Sequence, residues 1–429
     1  MSGKQEKTKT KTMALHTPML NELESGPWPS FVTDLKEYSK KRPVIAQLLN
    51  QLEESYENKW NYWIGKVHNA PGYGGGIIAR VSEKADKYPG LANFHTVRVI
   101  EPPGWVYNTQ ALRNLADTAE RNGAGILQFH GMTGDILLLG FDDAGSLQCV
   151  EDLMHDGWDI GGSGAALRTL QCCVGPARCE MACFDTLKAT KHITDTFIHY
   201  LHRPEFVYKF KFKLSGCSND CSNSIVRSDM PIIGTWRGPM QVDQQKVAEF
   251  IDEKGLEYLI DNVLTRCPTR CLSVKGKTLE VDNDNCVRCM HCINVMHHAL
   301  KPGLDRGITI LVGGHRTLKI GDTMSSVLVP FMKLETDEDL EALTDFIERV
   351  WEFWNDNGMD HERIGEFIAR VGMGTFLKGV GLEPDPRMIR QPRTTSYIKF
   401  EELAPPKSAG EQKKDPPVWN REPEPVETA

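Results

Sequence analysis

Four cysteines in two separated pairs constrain this chain more than any other feature. Cys173-Val-Gly-Pro-Ala-Arg-Cys179 sets five residues between its thiols, and Ser215-Gly-Cys217-Ser-Asn-Asp-Cys221 sets three between the next two. A 4Fe–4S cube takes one thiolate per iron from several directions, and four sulfurs delivered by two loops suit it. Between the pairs runs Phe206-Val-Tyr-Lys-Phe-Lys-Phe-Lys-Leu214, where Tyr208, Phe210, Phe212 and Leu214 alternate with Lys209, Lys211 and Lys213. Alternate residues of a strand face opposite ways. The pattern therefore predicts one strand, with aromatics in the core and three ammonium groups sharing the other face. Gly216 then turns the chain and delivers Cys217. Three lysines aimed together, one step from a cluster loop, describe a site for a strongly anionic ligand. A solvated strand face is the plainer reading of the same alternation.

A second cysteine constellation follows. Cys267-Pro-Thr-Arg-Cys271 precedes Cys286-Val-Arg-Cys-Met-His-Cys292. The bacterial ferredoxin run is C-x2-C-x2-C-x3-C-P, and here Met296 stands where its last cysteine belongs. Cys286, Cys289 and Cys292 thus supply three ligands, and Cys267, followed by Pro268, supplies the missing fourth. Residues 240–310 read as an inserted ferredoxin-like module holding one 4Fe–4S cluster. The triple C-x2-C-x2-C crowding suits a cube better than a single tetrahedral zinc ion.

Composition narrows the setting. A chain of 429 residues has room for two or three domains. Its net charge of −8 argues against nucleic acid as a partner. Twelve cysteines are too sparse for a disulfide scaffold at this length, and their tight spacings favour metal. The start, Met1-Ser-Gly-Lys-Gln-Glu-Lys-Thr-Lys-Thr-Lys-Thr12, is basic but lacks the apolar stretch of a secretory signal. Runs such as Ser326-Val-Leu-Val-Pro-Phe331 are far too short to cross a bilayer. A reduced, cytoplasmic protein without a membrane span is expected.

Taken in order, residues 1–15 are polar and read as a disordered leader. A buried helix is expected at 43–56. Tyr73-Gly-Gly-Gly76 allows backbone to pass close to a flat ligand or to turn tightly, and Arg80 follows it. Residues 95–155 then give strand (96–100), helix (109–122), strand (125–130), strand (135–141) and helix (146–155). That order predicts an α+β sandwich with a mixed or antiparallel sheet and flanking helices. Arg98 lies in its first strand. His130-Gly-Met-Thr-Gly134 joins two strands, with Thr133 offering a hydroxyl and His130 read as a hydrogen-bonded turn residue. Gly161-Gly-Ser-Gly-Ala-Ala-Leu-Arg168 lacks the spacing of a phosphate loop. Further on, Arg227 and Arg237 flank a short apolar stretch. Helices are expected at 244–264, punctuated by Gly255, at 338–354 and at 361–370, and a strand at 308–316. Trp351 and Trp354 read as core or subunit contact, and residues from 404 as a tail that reaches outward.

The first cysteine quartet, with Gly26-Pro-Trp-Pro-Ser-Phe31, Tyr73-Gly-Gly-Gly76, Tyr208-Lys-Phe-Lys-Phe-Lys213 and Cys289-Met-His-Cys292, resembles the sulfite and nitrite reductases that couple siroheme to a 4Fe–4S cluster. Among them it is most similar to the alpha subunits of dissimilatory sulfite reductases, over roughly residues 16–400. The resemblance implies siroheme-reductase halves with the ferredoxin-like domain inserted, siroheme, and two 4Fe–4S clusters. It divides the chain into a leader (1–15), an N-terminal reductase domain (16–165) and a first siroheme/4Fe–4S part (166–239). The inserted module (240–310), the siroheme domain's continuation (311–403) and a tail (404–429) complete it. Spacing alone leaves Cys172 and Cys183 open as ligands; the family register selects Cys173, Cys179, Cys217 and Cys221, with Cys221 bridging cluster and haem iron. Cys149, Cys183 and Cys271 are then buried free thiols.

Siroheme carries a rim of carboxylates and sulfite is a doubly charged oxyanion, so both require Arg and Lys. Arg98, Arg168, Lys209, Lys211 and Lys213 answer the substrate, and Arg80, Thr133, Arg227 and Arg370 the siroheme. The implied chemistry interconverts sulfite and reduced sulfur, with electrons arriving from the Cys267 cluster through the Cys221 cluster. One site serves both directions. The short region between residues 29 and 62 and Gly313-Gly-His-Arg-Thr-Leu-Lys-Ile-Gly321 lean towards the oxidative form found in sulfur-oxidising bacteria. Implied partners are a homologous beta subunit, two alpha with two beta, and a sulfur-carrier protein. An assimilatory sulfite or nitrite reductase is the rival among enzymes. A cluster-binding electron-transfer or structural subunit without turnover is the rival outside them.

Overall fold

In the computed structural model of the chain the described residues are 13–26, 29–67, 75–131, 133–317 and 321–383. The leader 1–12, Pro27 and Trp28, residues 68–74 with Tyr73 and Gly74, Met132, residues 318–320 and everything from 384 lie outside them. Chain packing sorts the described residues into two units. One takes the chain up to Gln171 with Lys191–Lys211 and Met359–Glu362; the other takes Cys172–Thr190, Phe212–Gly358 and the residues from Arg363.

The first unit is built on the order read at 95–155: strand His95–Val99, helix Thr109–Asn122, strands Ile126–Phe129 and Ile136–Phe141, helix Asp143–His155. Each helix starts where a short polar side chain satisfies a free N–H. Asn108 accepts from Ala111 at 2.8 Å and Asp142 from Gly145 at 2.7 Å. Strands Trp63–Val67 and Ile77–Ser82 complete a five-stranded antiparallel sheet. Val97, Val99, Leu115, Ile136, Leu138 and Leu153 form its core. Helix Pro43–Asn58 buries Ile45 and Leu49 with Leu91 and Phe94 in a second apolar cluster. Gly76, at φ +88°, is a glycine by necessity: a Cβ there would stand 2.4 Å from Ile160 Cδ1.

The second unit carries a mixed sheet. Strand Phe212–Ser215 pairs in parallel with Met230–Arg237, which pairs antiparallel with Asp305–Val312, itself paired with Ser326–Met332. Its companion helix Asp337–Asn357 opens on a capping box at Thr336 and Asp339. Trp351 and Trp354, read above as core or subunit contact, fill this unit's own core. Trp354 is fully buried, and the Trp351 ring meets Phe212 at 5.8 Å.

The inserted segment is laced shut where Gln241–Val242 pairs with Leu300–Lys301. Inside it stand helix Gln244–Lys254, broken by Gly255 at φ +91°, the hairpin Leu272–Lys275 with Thr278–Val281, and the short helix His291–Val295. Among the described residues no helix is long and apolar enough to cross a membrane.

Two sequence expectations change. The continuous strand expected over 206–214 shrinks to Phe212–Ser215, because residues 206–210 bond to a glycine-rich loop rather than to a strand. Phe206 and Phe210 donate to Ala165 and Ala166 oxygens, both at 3.2 Å. The strand expected over 308–316 breaks at Gly313, φ +92°, before resuming at His315–Thr317.

Deep in the second unit Arg363 grips Asp229 with two parallel bonds, Nε to Oδ1 at 2.8 Å and Nη2 to Oδ2 at 2.6 Å. Both side chains are essentially inaccessible, 4% and 0% exposed. Arg363→Met strands the Asp229 carboxylate and should destabilise the protein by about 3–5 kcal/mol. Asp229→Leu/Arg363→Met should recover much of that loss, as read by thermal unfolding of the three proteins side by side.

Candidate functional site

The first four cysteines belong to one unit and meet at the end of its parallel strand. Cys173 donates its N–H to Leu214 oxygen at 3.0 Å, which lays its loop along strand Phe212–Ser215. Where that strand ends, Gly216 N–H points at Cys173 Sγ, 3.2 Å away, and Gly216 oxygen accepts from Cys183 N–H at 2.7 Å. Beneath it, Gly234 leaves no space: a Cβ there would stand 1.9 Å from Gly216 oxygen.

Cys217 and Cys221 are held by the residue between them. Asp220, at φ +48°, turns its carboxylate back into the loop. Its oxygens accept from Ser215 Oγ at 2.8 Å, Ser224 N–H at 2.8 Å and Ile225 N–H at 3.1 Å. Sequence reading passed over Asp220. The available signal was a short acidic side chain, able to cap a turn, placed among thiolates where its charge is otherwise unfavourable.

Proximity of the thiols shows in the acidity of Cys217 and Cys221. Burial first, then the neighbouring Cys179, Cys221 and Cys173, pushes Cys217 up to about 11, with the backbone N–H of Asn219 opposing. Cys221 is raised by burial and then by Cys173 and Cys179. Thiols raised by one another's negative charge suit a donor set completed by a metal-borne positive charge. An N–H aimed at one sulfur adds to the fit for an iron–sulfur cluster. Cys183 is buried beside them and pushed up to about 12 by burial.

Cys267, Cys286, Cys289 and Cys292 line one pocket, with Cys271 and Trp236 also on its wall. Arg288 and Met290 take left-handed φ values of +56° and +69°, which wind the Cys286–Cys292 run around that pocket. Burial pushes Cys292 up to about 12, followed by Cys286 and Cys289. Burial would also raise Cys267, but backbone N–H groups of Cys271 and Thr269 outweigh it and hold that thiol low. The two cysteine sets share one apolar core, which runs from Cys183 and Cys217 through Trp236 to Cys292 and Ile293. At the surface Asn219, inside the Cys217–Cys221 loop, and Asn294, two residues after Cys292, exchange amide hydrogen bonds of 3.0 and 2.6 Å. This pair had no signature in the sequence.

In the first unit Arg98 and Thr133 meet at the buried Asp135. Arg98 Nη1 lies 3.3 Å from Asp135 Oδ2 and donates to Gly162 oxygen at 3.0 Å. Thr133 Oγ1 donates to Asp135 Oδ2 at 2.5 Å. The Arg98 Nε hydrogen is buried without a partner among the described residues, a spare donor suited to a carboxylate or oxyanion. His130 bonds Thr133 Oγ1 at 2.6 Å, the turn role read for it. Burial, with Arg98 and Lys211 nearby, lowers its pKa, so this histidine is neutral at pH 7.

The remaining candidates are dispersed. Arg168 donates to Gly164 oxygen at 2.9 Å. Arg80 shares a groove with Trp63 and Thr96. Lys209 sits over the Tyr208 ring at 4.7 Å, and Lys211 is half-buried. Lys213, in the second unit, is buried and donates to Ser222 oxygen at 3.0 Å, one residue past Cys221. A strand paired in parallel is covered on both faces, which is why a lysine expected at the surface is enclosed. Arg227 is half-buried in the loop after Cys221. Arg370 is exposed, donates to Asn357 oxygen at 2.9 Å and covers Phe367.

A family model described as the nitrite and sulphite reductase 4Fe-4S domain matches residues 163–386, a span that includes every one of these cysteines. The chain is 51% identical over 392 residues to the dissimilatory-type sulfite reductase subunit alpha of Allochromatium vinosum, covering 90% of this chain and 94% of that one. It is 40% identical over 419 residues to the subunit alpha of Nitratidesulfovibrio vulgaris, covering 91% and 95%. A subunit beta from Archaeoglobus fulgidus aligns at 24% identity over 379 residues, 84% of this chain and 94% of that one. The crystal structure of dissimilatory sulfite reductase I matches with a TM-score of 0.83 at 38% identity, over 91% of this chain and 96% of that one. With that likeness along nearly its whole length, the chain belongs to the alpha subunits of dissimilatory sulfite reductases, oxidoreductases of sulfur compounds that work through siroheme and iron–sulfur clusters.

Proposed function

We propose that Cys173, Cys179, Cys217 and Cys221 hold the 4Fe–4S cluster next to siroheme, with Cys221 as the shared thiolate. Cys267, Cys286, Cys289 and Cys292 hold the second cluster, within a ferredoxin-like domain at 240–310 inserted between siroheme-domain parts at 166–239 and 311–403. The observation that carries this reading is the common core and the Asn219–Asn294 amide pair, which tie the two cysteine sets together. So joined, they suit one redox path.

When bound, siroheme with its cluster supplies the multi-electron chemistry between sulfite and reduced sulfur. The chain's own residues supply charge and position. Arg98, Arg168, Lys209 and Lys211 neutralise the anion, and the ammonium groups offer protons to departing oxygens. Lys213 positions the loop behind Cys221 through its bond to Ser222 oxygen. Arg80, Thr133, Arg227 and Arg370 serve the carboxylate rim. The sequence likeness at residues 29–62 and 313–321 supports the oxidative direction in the cell, which is the cytoplasm. The functional unit is two alpha with two beta subunits and is served by a sulfur-carrier protein. Relatives named subunit alpha and subunit beta support the pairing.

Cys286→Ser should remove one cluster and leave the siroheme spectrum and the other cluster in place. Iron, acid-labile sulfide and the visible spectrum measure it, and loss of siroheme alongside the cluster counts against the assignment. Lys211→Met keeps the stem and deletes the charge. It should weaken sulfite affinity roughly tenfold or more, the loss of one charge-assisted hydrogen bond of about 1.5–3 kcal/mol; unchanged affinity returns this lysine to a surface role. The chain produced without beta, with siroheme synthesis and cluster assembly intact, should be inactive or aggregated and rescued by beta. A monodisperse monomer with full turnover, read by solution mass and assay, sinks that part of the proposal.

A further inference from the structure

We infer that Cys271 is a reserve ligand of the second cluster, able to take the place of Cys267 at the same iron. The inference rests on the proposed ligand set Cys267, Cys286, Cys289 and Cys292, to which it adds a fifth sulfur. Cys267 Sγ and Cys271 Sγ are 3.5 Å apart. Both line the pocket that Cys286, Cys289 and Cys292 line. Two sulfurs bonded at about 2.3 Å to one tetrahedral metal stand about 3.8 Å apart. The observed separation is therefore close to that of two thiols addressing one metal corner. Each iron of a cube takes a single protein thiolate, so only one member of the pair ligates at a time.

Local structure decides which comes first and keeps the other ready. Cys267 lies in a turn closed by Arg270 N–H on Cys267 oxygen at 3.1 Å, with Arg270 at φ +50°. Cys271 leads into strand Leu272–Lys275, and its carbonyl accepts from Asp282 N–H at 2.8 Å. Its backbone is held by the hairpin through that carbonyl and gives its N–H to the Cys267 sulfur, which keeps the two cysteines side by side. Removing the Cys267 side chain opens the position 3.5 Å from the Cys271 sulfur, on the wall of the same pocket. Rotation of one side chain then completes the set. At 7% exposure Cys271 makes that move out of contact with bulk solvent.

The test compares cluster content in Cys267→Ala, Cys271→Ala, Cys267→Ala/Cys271→Ala and Cys286→Ala, each purified as the siroheme-containing complex. Iron and acid-labile sulfide are counted per chain, and the reduced second cluster is followed by electron paramagnetic resonance. Cys271→Ala should match the parent. Cys267→Ala should keep its iron and sulfide with an altered resonance. The double variant and Cys286→Ala should each lose about four irons per chain. Cys267→Gly, which leaves the same space open, repeats the first comparison should the alanine variant fold poorly. Loss from the Cys267 variants as complete as from Cys286→Ala overturns the reserve role and leaves the ligand set intact. Loss from Cys271→Ala alone, or retention in the double variant, overturns the placing of Cys267 as ligand and the inference with it.

Discussion

The backbone of Gly216 is the point on which the first cysteine site depends. Its N–H faces Cys173 Sγ and its carbonyl holds Cys183 N–H. It thereby joins the 173–183 loop to the loop carrying Cys217 and Cys221. No side chain can do this, because the approach is backbone to backbone and Gly234 leaves no room beneath it. The parallel pairing of Phe212–Ser215 with Met230–Arg237 brings Gly216 and Gly234 together. Sheet register and ligand geometry are thus a single constraint: shifting the strand by one residue would bring a different residue under Gly216 and move the thiols apart.

Carboxylates do the corresponding work within each unit. Asp220 gathers the loop between two cysteines, Asp135 gathers Arg98, Thr133 and Thr169, and Asp229 anchors Arg363. Burying a carboxylate costs several kcal/mol unless hydrogen bonds and a cation replace its water. Each of these is supplied with several donors. Such groups contribute little net stability and much definition of geometry. Arg98 shows the balance: Asp135 and Gly162 engage one end of the guanidinium while Nε stays available.

What the sequence made legible was chemistry fixed by spacing. Cysteine intervals singled out the two sets of thiols, and the order of strands and helices read at 95–155 recurs in the structure, with the second helix starting at Asp143 rather than at 146. What it hid depended on which surface a neighbour covers. The alternation of Lys209, Lys211 and Lys213 reads as one face turned to an anion, yet Lys213 is buried and bonded to Ser222 oxygen because its strand is covered on both sides. Trp351 and Trp354 look surplus in a helix considered alone and are core residues once the sheet is opposite. Cys271 is four residues from Cys267 in the chain, and only the fold shows that their sulfurs nearly touch.

The relation between the two cysteine sets follows from which contacts can bear it. The Asn219–Asn294 pair is exposed, and hydrogen bonds there are worth about 0.5–1.5 kcal/mol each at most. It orients the two loops but cannot hold them together. That falls to the apolar core beneath, where Cys217, Trp236, Cys292 and Ile293 are all buried in one cluster. Such interiors pack densely and yield little, so a cluster bound at either set meets a wall fixed by the other. An insertion laced shut at Gln241–Val242 and Leu300–Lys301 is bound to that core at its hairpin, through Leu272 and Leu279. It is not free to vary at the short helix His291–Val295, whose buried residues belong to both sites' common core. The segment is thereby tied to the rest of its unit through the core that both cysteine sets share.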